Sequence, residues 1–496
     1  MLISFENRIK SDPDVIHPYT YDSSNYQGFA EQLFIPEDYS ELIKFVKSAY
    51  DSGKQITVSG AGTGIAGGRV PEGGAVISTE KFKDLFLLNS NSVRIGAAVT
   101  LNELDNFLKD HNLFLPPNPT EINASIGGNV STNASGARTF KYGAIRNYVN
   151  RLKIILSNGD QLNIGRGEIF AENNILKLVS LEGNEYKIQL PNYIMPAVKN
   201  ASGYYTGSNI DAIDLFIGSE GTLGIVTEIE LTVQTKPENI LGGIVFFDDN
   251  DNLFNFIVDL RDQSKILNKT DIELNNEITA RLIEYFDKNS LILLRNKYPE
   301  IPESAIGAVW FEQEYSKQFE DILMDRWYDY INLHTQLGDE TWFALTEKEH
   351  LKLKEFRHEL PLQVYENLSN NSQRKVGLDT AVPDKDFRTL FNFYLDKFPQ
   401  TGLDYVVFGH IGNSHLHANI FCKNDDEFKL AKEVYDEGIQ VSLGLQGTVS
   451  AEHGIGKLKK PYLIKMYGAK AVEEMKNVKQ VLDDKLILNI GTMFDL

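Results

Sequence analysis

SGAGTGIAGGRVPEGGAVIS, residues 59–78, decides the reading of the fold. It follows KQITVSG (54–60), a short β-rich run, and begins with small residues whose backbone N–H groups can converge on one concavity suited to a phosphate. Gly62, Gly64 and Gly67 make a literal GxGxxG, the signature of a Rossmann dinucleotide fold. That fold requires a helix to start at the loop and to carry the pyrophosphate at its N-terminus. Here Pro71, Gly73 and Gly74 follow instead, and they forbid a helix. The loop is therefore either a phosphate cradle of another fold or a glycine-rich surface turn.

Outward from this loop, DYSELIKFVKSAYDSG (38–53) has helical apolar spacing and stops at Gly53. GGAVIST (73–79), SVRIGAAVT (92–100) and LNELDNFLKDHN (101–112) read strand, strand, helix. Residues 116–146 are rich in Gly, Asn, Ser and Pro, too polar for a core and too long for an idle connection. Their hydrogen-bonding side chains suit a large polar ligand, with Ile126, Val130, Phe140 and Tyr142 as anchors. KIILSNGDQLNI (153–164) predicts a hairpin turning at Asn158-Gly159. DLFIGSEGTLGIVTEIELTVQ (214–234) is a glycine-rich turn feeding an alternating strand. Near residue 237 the pattern changes. Strands GGIVFFDD (242–249), AIGAVWFEQEY (305–315) and DYVVFGH (404–410) alternate with long helices such as 317–334, which suggests a second α+β domain over 238–448. The tail 469–487 is an amphipathic helix followed by LNIGTMF (488–494).

The chain has 496 residues and a net charge of −20, enough for more than one buried core and unfavourable for a nucleic-acid partner. No apolar run reaches the roughly 18 residues of a membrane span, and the N-terminus lacks a secretory apolar core. Cys422 is the only cysteine, which excludes an intrachain disulfide and a cysteine metal cluster. The expectation is a cytoplasmic protein, with peripheral membrane attachment left open.

Four of the nine histidines, His410, His415, His417 and His453, lie between 410 and 453. VVFGHIGNSHLHANIF (406–421) reads as a hairpin. Period-2 alternation puts His415, His417 and Asn419 on one face and Leu416, Ala418 and Ile420 on the other. The aliphatic face belongs on a core; the imidazole face meets water, a ligand or a metal. Glu452, in SAEHGIGK (450–457), is the candidate carboxylate.

Together these segments resemble the FAD-linked oxidase family, the flavoproteins typified by vanillyl-alcohol oxidase and p-cresol methylhydroxylase. The nearest branch is that of D-lactate and D-2-hydroxyglutarate dehydrogenases and the glycolate oxidase flavin subunit. The resemblance runs from about residue 32 to 491. It implies an α+β fold: a two-subdomain FAD-binding (PCMH-type) domain at 1–237, an α+β cap with an antiparallel sheet at 238–448, and a segment 449–496 returning to the first domain. It assigns FAD contacts to Gly60, Gly62, Thr63 and Gly64, to Ser125, Gly127, Gly128, Asn129, Thr132, Asn133 and Gly143, and to Glu220, Gly221, Gly224 and Ile225. The family's Asn-Pro-Gly-Lys tail is replaced by Asn489-Ile490-Gly491-Thr492. No histidine lies between Gly53 and Asp110, and Cys422 does not match an attachment position, so the flavin is expected to be non-covalent.

The same resemblance makes His410, His417 and Glu452 ligands of a divalent metal (Zn, Mn or Fe) and His453 the catalytic base. Gly412-Asn413-Ser414-His415 replaces a Gly-Asp-Gly-Asn pattern, so His415 is either a fourth ligand or a group outside the coordination sphere. Asn419 and Arg357 are implied as substrate contacts, Arg357 otherwise being a solvated helix position; Lys375 is a further candidate, otherwise a surface lysine. The implied activity is FAD-dependent oxidation of a D-2-hydroxy acid, D-lactate favoured, with hydride passing to the flavin. The acceptor would be a quinone, a cytochrome, an electron-transfer flavoprotein or oxygen, and a homodimer is left open. The alternatives are another substrate on the same fold (glycolate, D-2-hydroxyglutarate, or an alkyl-dihydroxyacetonephosphate synthase-like reaction) and a non-catalytic flavin-binding subunit.

Overall fold

The computed structural model describes residues 8–268 and 276–496, so residues 1–7 of the N-terminal stretch read above lie outside it. The protein is α+β, with a two-part N-terminal portion followed by a portion built on an antiparallel sheet. The first part is a four-stranded sheet ordered Ile9–Lys10, Gln32–Phe34, Ala75–Ser78, Ile56–Ser59, whose last three strands are parallel. Helix Tyr39–Ser52 packs Leu42, Phe45, Val46 and Ala49 into its core. Asp38 caps that helix through the Glu41 N–H, and Gly53 ends it at φ 66°, the left-handed conformation glycine adopts without cost.

The second part is a five-stranded antiparallel sheet ordered Leu85–Asn89, Ser92–Gly96, Ile225–Thr232, Val149–Ile155, Gln161–Gly165. The edge strand Leu85–Asn89 has Phe86, Leu87 and Leu88 exposed, so it lacks the half-buried alternation that reveals a strand in sequence. The expected hairpin is present: Leu156 N–H donates to the Asp160 carbonyl, and Gly159 sits at φ 85°. The stretch 116–146 differs from its reading. Ser125 caps a helix over Ile126–Ser131, a second turn of helix spans Thr139–Tyr142, and Ile126 and Val130 are fully buried. Two apolar residues four apart are enough to sink this polar segment onto the sheet, because its glycines let the backbone approach: a Cβ at Gly127 would lie 2.8 Å from Ala97.

The third sheet has seven strands, ordered Trp342–Ala344, Asn239–Phe247, Gly307–Tyr315, Leu282–Asp287, Asp404–Gly409, His415–Cys422, Arg374–Ala381, all neighbours antiparallel. One face carries Leu416, Ala418, Ile420, Leu378 and Val309 into a core shared with helices Asn250–Leu267, Glu320–His334, Phe387–Gln400 and Asp425–Gly444. The opposite face carries Leu282, Phe286, Trp310, Phe408 and Phe421 beneath helix Glu347–Asn370. That helix opens with a capping box, Thr346 with Glu349. Strand alternation therefore sends Glu284, Glu312, His417 and Asn419 to the second face, where the sheet meets the 125–143 segment. The chain then returns: Ile56 N–H donates to Ile487, Asn489 N–H to Ile56, and Thr492 Oγ1 to Gly68 in the first glycine loop.

Candidate functional site

The three glycine segments meet. A Cβ at Gly60 would lie 2.8 Å from Ser125 Oγ, and one at Gly218 would lie 3.3 Å from Asn133 Cβ. Gly62 and Gly67 have φ of 81° and 76°, and no helix starts at Gly62, Thr63 and Gly64, so the segment is a turn held by left-handed glycines at two positions. Behind it lies Arg69, which the sequence reading missed. Its guanidinium donates to the carbonyls of Tyr21, Pro18 and Gly60 and to Ser59 Oγ, and a Cβ at Gly62 would sit 2.3 Å from its Cζ. These bonds spend the donors on carbonyls and a hydroxyl and leave the positive charge under the loop.

In the second segment Ser125 Oγ accepts from Gly128 N–H, Thr132 Oγ1 donates to the Gly128 carbonyl, and Asn133 and Gly143 both adopt positive φ. Asn129 is buried and its Nδ2 has no partner. A buried amide N–H₂ with nothing to bond, in a segment that meets glycine turns over a half-buried cation, fits a polar anionic cofactor such as FAD.

The third turn reaches the histidine segment. Glu220 directs its carboxylate at the N–H groups of Ile455 (2.7 Å) and Gly456 (2.8 Å), just past His453. Burial raises its pKa to about 7. Asn489 Nδ2 donates to the Glu220 carbonyl, against Gly221, while Gly224 packs on Ile154 and Ile225 is fully buried in the first core. Glu220 thus ties the histidine segment to the glycine loops.

The histidine hairpin forms as its alternation predicts, with strands Asp404–Gly409 and His415–Cys422. One donor atom each from His410, His415, His417 and Glu452 lie within 4.8 Å of one another. His410 Nε2 is 3.2 Å and His417 Nε2 3.5 Å from the Glu452 carboxylate. The other carboxylate oxygen of Glu452 accepts from Ser135 Oγ (3.0 Å) and from Lys199 Nζ. Ser135 belongs to the second glycine segment, so the histidine cluster abuts the glycine segments.

Three buried residues that the sequence reading missed organise the cluster. Glu284 accepts from His410 Nδ1 (2.5 Å) and Arg357 Nε (2.9 Å). Burial would raise its pKa, but His410 and Arg357 bring it down to about 2. Asp379 sits opposite His417 on strand Arg374–Ala381. It accepts from His415 Nε2 (2.8 Å), Ser450 Oγ (2.9 Å), Lys459 Nζ (3.2 Å) and the His453 backbone N–H (3.1 Å), and its Oδ2 lies 3.0 Å from His453 Nδ1. Against the effect of burial, His453 and Lys459 hold it well below the ordinary carboxylate range. Lys199, from the segment linking the flavin-side strands, holds Glu452. Burial depresses His415 to about 4 and His417 to about 3, so both rings are neutral and carry a lone pair. Neutral imidazoles beside an ionised carboxylate, with outer hydrogen-bond partners on His410 and His415, fit a borderline divalent ion.

His453 is the most open member, with its side chain 28% exposed and its ring stacked on His417 at 5.2 Å. With Nδ1 held by Asp379, its Nε2 is the basic nitrogen. Asn419 is buried over Gly377, where a Cβ would lie 2.6 Å from its Oδ1. Arg357 is buried and its second nitrogen, NH1, has no partner. It lines a cavity of about 610 Å³ that ends at His410 and also exposes Arg138, Arg281, Trp310 and His358. Lys375 is not in this group. It lies on the same strand face as Asp379 but four residues along, about 13 Å at 3.3 Å per residue, with its ammonium over the Tyr365 ring.

The chain is similar to known proteins along most of its length. Residues 30–165 match the FAD binding domain family, and residues 236–493 match the C-terminal domain of FAD linked oxidases. The chain is 26% identical to the glycolate oxidase subunit GlcD of Bacillus subtilis over 96% of this chain and 92% of that one. It is 28% identical to a D-lactate dehydrogenase of Archaeoglobus fulgidus (92% and 89%) and 27% identical to a D-2-hydroxyglutarate dehydrogenase of Xanthomonas citri pv. viticola (98% and 94%). A solved alkyldihydroxyacetonephosphate synthase superposes with a TM-score of 0.67 at 15% identity, covering 98% of this chain and 82% of that one, which speaks to the fold. With more than half its length in the C-terminal domain family and an FAD-binding domain before it, this chain belongs to the FAD-linked oxidases.

Proposed function

We propose that the protein is an FAD-dependent dehydrogenase that oxidises a D-2-hydroxy acid, D-lactate favoured, to the 2-oxo acid, with a divalent ion orienting the substrate. The observation that carries this reading is the contact of Glu452 with His410 and His417 on one side and with Ser135 of the flavin segment on the other. The chemistry supplied by the bound groups is hydride acceptance at the flavin and charge withdrawal from the hydroxyl at the ion.

The chain's own residues do the rest. His410, His417 and Glu452 hold the ion. Lys199 and Ser135 fix one Glu452 oxygen so that the other faces the imidazoles. His453 Nε2 takes the hydroxyl proton, and Asp379 keeps Nδ1 protonated and stabilises the imidazolium that results. Arg357, with one guanidinium nitrogen spent on Glu284 and another free, grips a substrate carboxylate, and Asn419 supplies a polar contact. Residues 1–237 would bind FAD non-covalently, 238–448 would cap the substrate, and 449–496 would carry His453 back to the flavin.

One observation favours a longer acidic substrate as a second reading. Arg138 lines the same cavity, its Nε is buried without a partner, and its NH2 donates only weakly to the Leu115 carbonyl at 3.2 Å. Turnover of glycolate, D-lactate and D-2-hydroxyglutarate with a redox dye, before and after chelator treatment, tests both. D-Lactate turnover abolished by chelator supports the reading; no turnover of any 2-hydroxy acid by the yellow protein refutes it.

A further inference from the structure

His415 has no role in the mechanism above, yet it is among the most enclosed side chains of the cluster. Its ring is fully buried, Asp379 takes Nε2, and Nδ1 is buried with no partner. A histidine that only packs or braces has both ring nitrogens satisfied or one open to water. This one keeps an unpaired nitrogen in a fully buried position, within 4.8 Å of donor atoms from His410, His417 and Glu452.

Ring spacing gives an independent measure. An ion about 2.1 Å from a ring nitrogen lies about 3.2 Å from the ring centroid, so two rings on one ion have centroids about 5.3 Å apart if tetrahedral and about 4.6 Å apart if cis in an octahedron. The centroids are 5.3 Å apart for His410 and His415, 4.7 Å for His415 and His417, and 5.4 Å for His410 and His417. Both pairs that include His415 fall in that range, and the His410–His417 pair lies 0.1 Å beyond its upper end. The outer partner matches as well. Asp379 accepting from Nε2–H fixes the tautomer with its lone pair on Nδ1 and raises the basicity of that nitrogen, as Glu284 does for His410.

We propose that His415 Nδ1 is a third imidazole ligand of the divalent ion, so that the protein offers three nitrogens and one carboxylate, His410, His415, His417 and Glu452, instead of two imidazoles and a carboxylate. The inference rests on the metal reading given under Proposed function. Its consequence is selectivity: a third imidazole favours Zn²⁺ or Fe²⁺ over the oxygen-preferring Mn²⁺. Two adjacent coordination positions then remain for the hydroxyl and carboxylate oxygens of the substrate.

Loss of metal affinity in a variant would not decide the matter, since removing an outer partner also costs 10- to 100-fold. The deciding quantity is the number of imidazoles on the ion. The full-length flavoprotein is stripped with chelator and reloaded with Zn²⁺ alone. Zn K-edge X-ray absorption then counts imidazoles from their multiple scattering, in wild type and in His415→Asn, which keeps a hydrogen-bonding group toward Asp379. Three imidazoles in the wild type and two in the variant are expected. Two in the wild type, with Zn²⁺ bound stoichiometrically, would overturn the assignment of His415 and leave the metal reading intact. Failure of the folded, yellow wild type to retain any Zn²⁺ would overturn the metal reading and this inference with it. The wild-type count stands even if the variant does not fold.

Discussion

Asp379→Asn separates a working site from a merely assembled one. The wild-type carboxylate is 2% exposed and is faced by His415, His453, Ser450 and Lys459 side chains. Replacing it by an amide keeps the shape but removes the negative charge that faces the Lys459 ammonium, 3.2 Å away in a buried setting. Breaking such a buried pair costs about 3–5 kcal/mol of stability. The amide keeps its one oxygen where Ser450, Lys459 and the His453 N–H donate and turns its N–H₂ toward His415, so His453 loses the negative charge that orients it and stabilises its imidazolium. Loss of an oriented general base lowers the chemical step by about 10²- to 10⁴-fold. Two measurements are needed: denaturant unfolding of the flavin-loaded protein, and anaerobic stopped-flow reduction of the flavin by D-lactate. The reasoning predicts a lower midpoint and flavin reduction slowed by at least about 10²-fold, at unchanged flavin content. Wild-type reduction rates in a folded Asp379→Asn protein would refute the role given to the aspartate.

Other expectations concern different parts of the structure. Glu220, whose pKa rises from 4.5 to about 7, holds a proton in the native state that the unfolded chain loses near 4.5. Its contribution is complete below pH 4.5 and vanishes as the pH climbs past about 7. At about 1.4 kcal/mol per unit this is a decline of about 3 kcal/mol, which Glu220→Gln removes and unfolding curves between pH 4.5 and 8 would reveal. Lys479, almost fully buried against Asp483 and the carbonyls of Thr222 and Leu488, ties the last long helix to the third glycine turn. Lys479→Met is expected to cost about 3–5 kcal/mol in denaturant unfolding, because Asp483 is left unpaired. Arg138→Met should raise KM for a 2-hydroxy diacid about 10-fold or more while changing that for D-lactate less than about 2-fold, given the usual strength of charge-assisted bonds. Equal effects on the two substrates would remove Arg138 from the substrate path.

Much of this architecture can be read in the chain, and the exceptions share a cause. The histidine hairpin was legible because its strand keeps an aliphatic face, Leu416, Ala418 and Ile420, whose burial fixes the imidazoles on the other side. The glycine loops were legible because Pro71, Gly73 and Gly74 rule out the competing helix. In residues 116–146 the anchors Ile126 and Val130 are legible, but the helix Ile126–Ser131 that carries them is not, because its glycines argue against a helix until close packing on the sheet is known. Glu284, Asp379 and Lys199 escaped because their partners lie far along the chain: His410 is 126 residues from Glu284 and Glu452 is 253 from Lys199. A signal for two of them existed. Glu284 interrupts the apolar run of strand Leu282–Asp287, and Asp379 interrupts Arg374–Ala381. A carboxylate inside a buried stretch of strand must be paired, which marks a site without naming the partner.

The central claim is that a flavin and a divalent ion meet across the contact between the glycine segments and the histidine sheet, with the substrate held by both. Anaerobic addition of D-lactate to the purified protein tests it most directly, followed at the flavin band near about 450 nm. The account predicts bleaching in the metal-loaded protein, none after chelation, and recovery on returning Zn²⁺. Full bleaching at an undiminished rate in protein shown to be metal-free would contradict it.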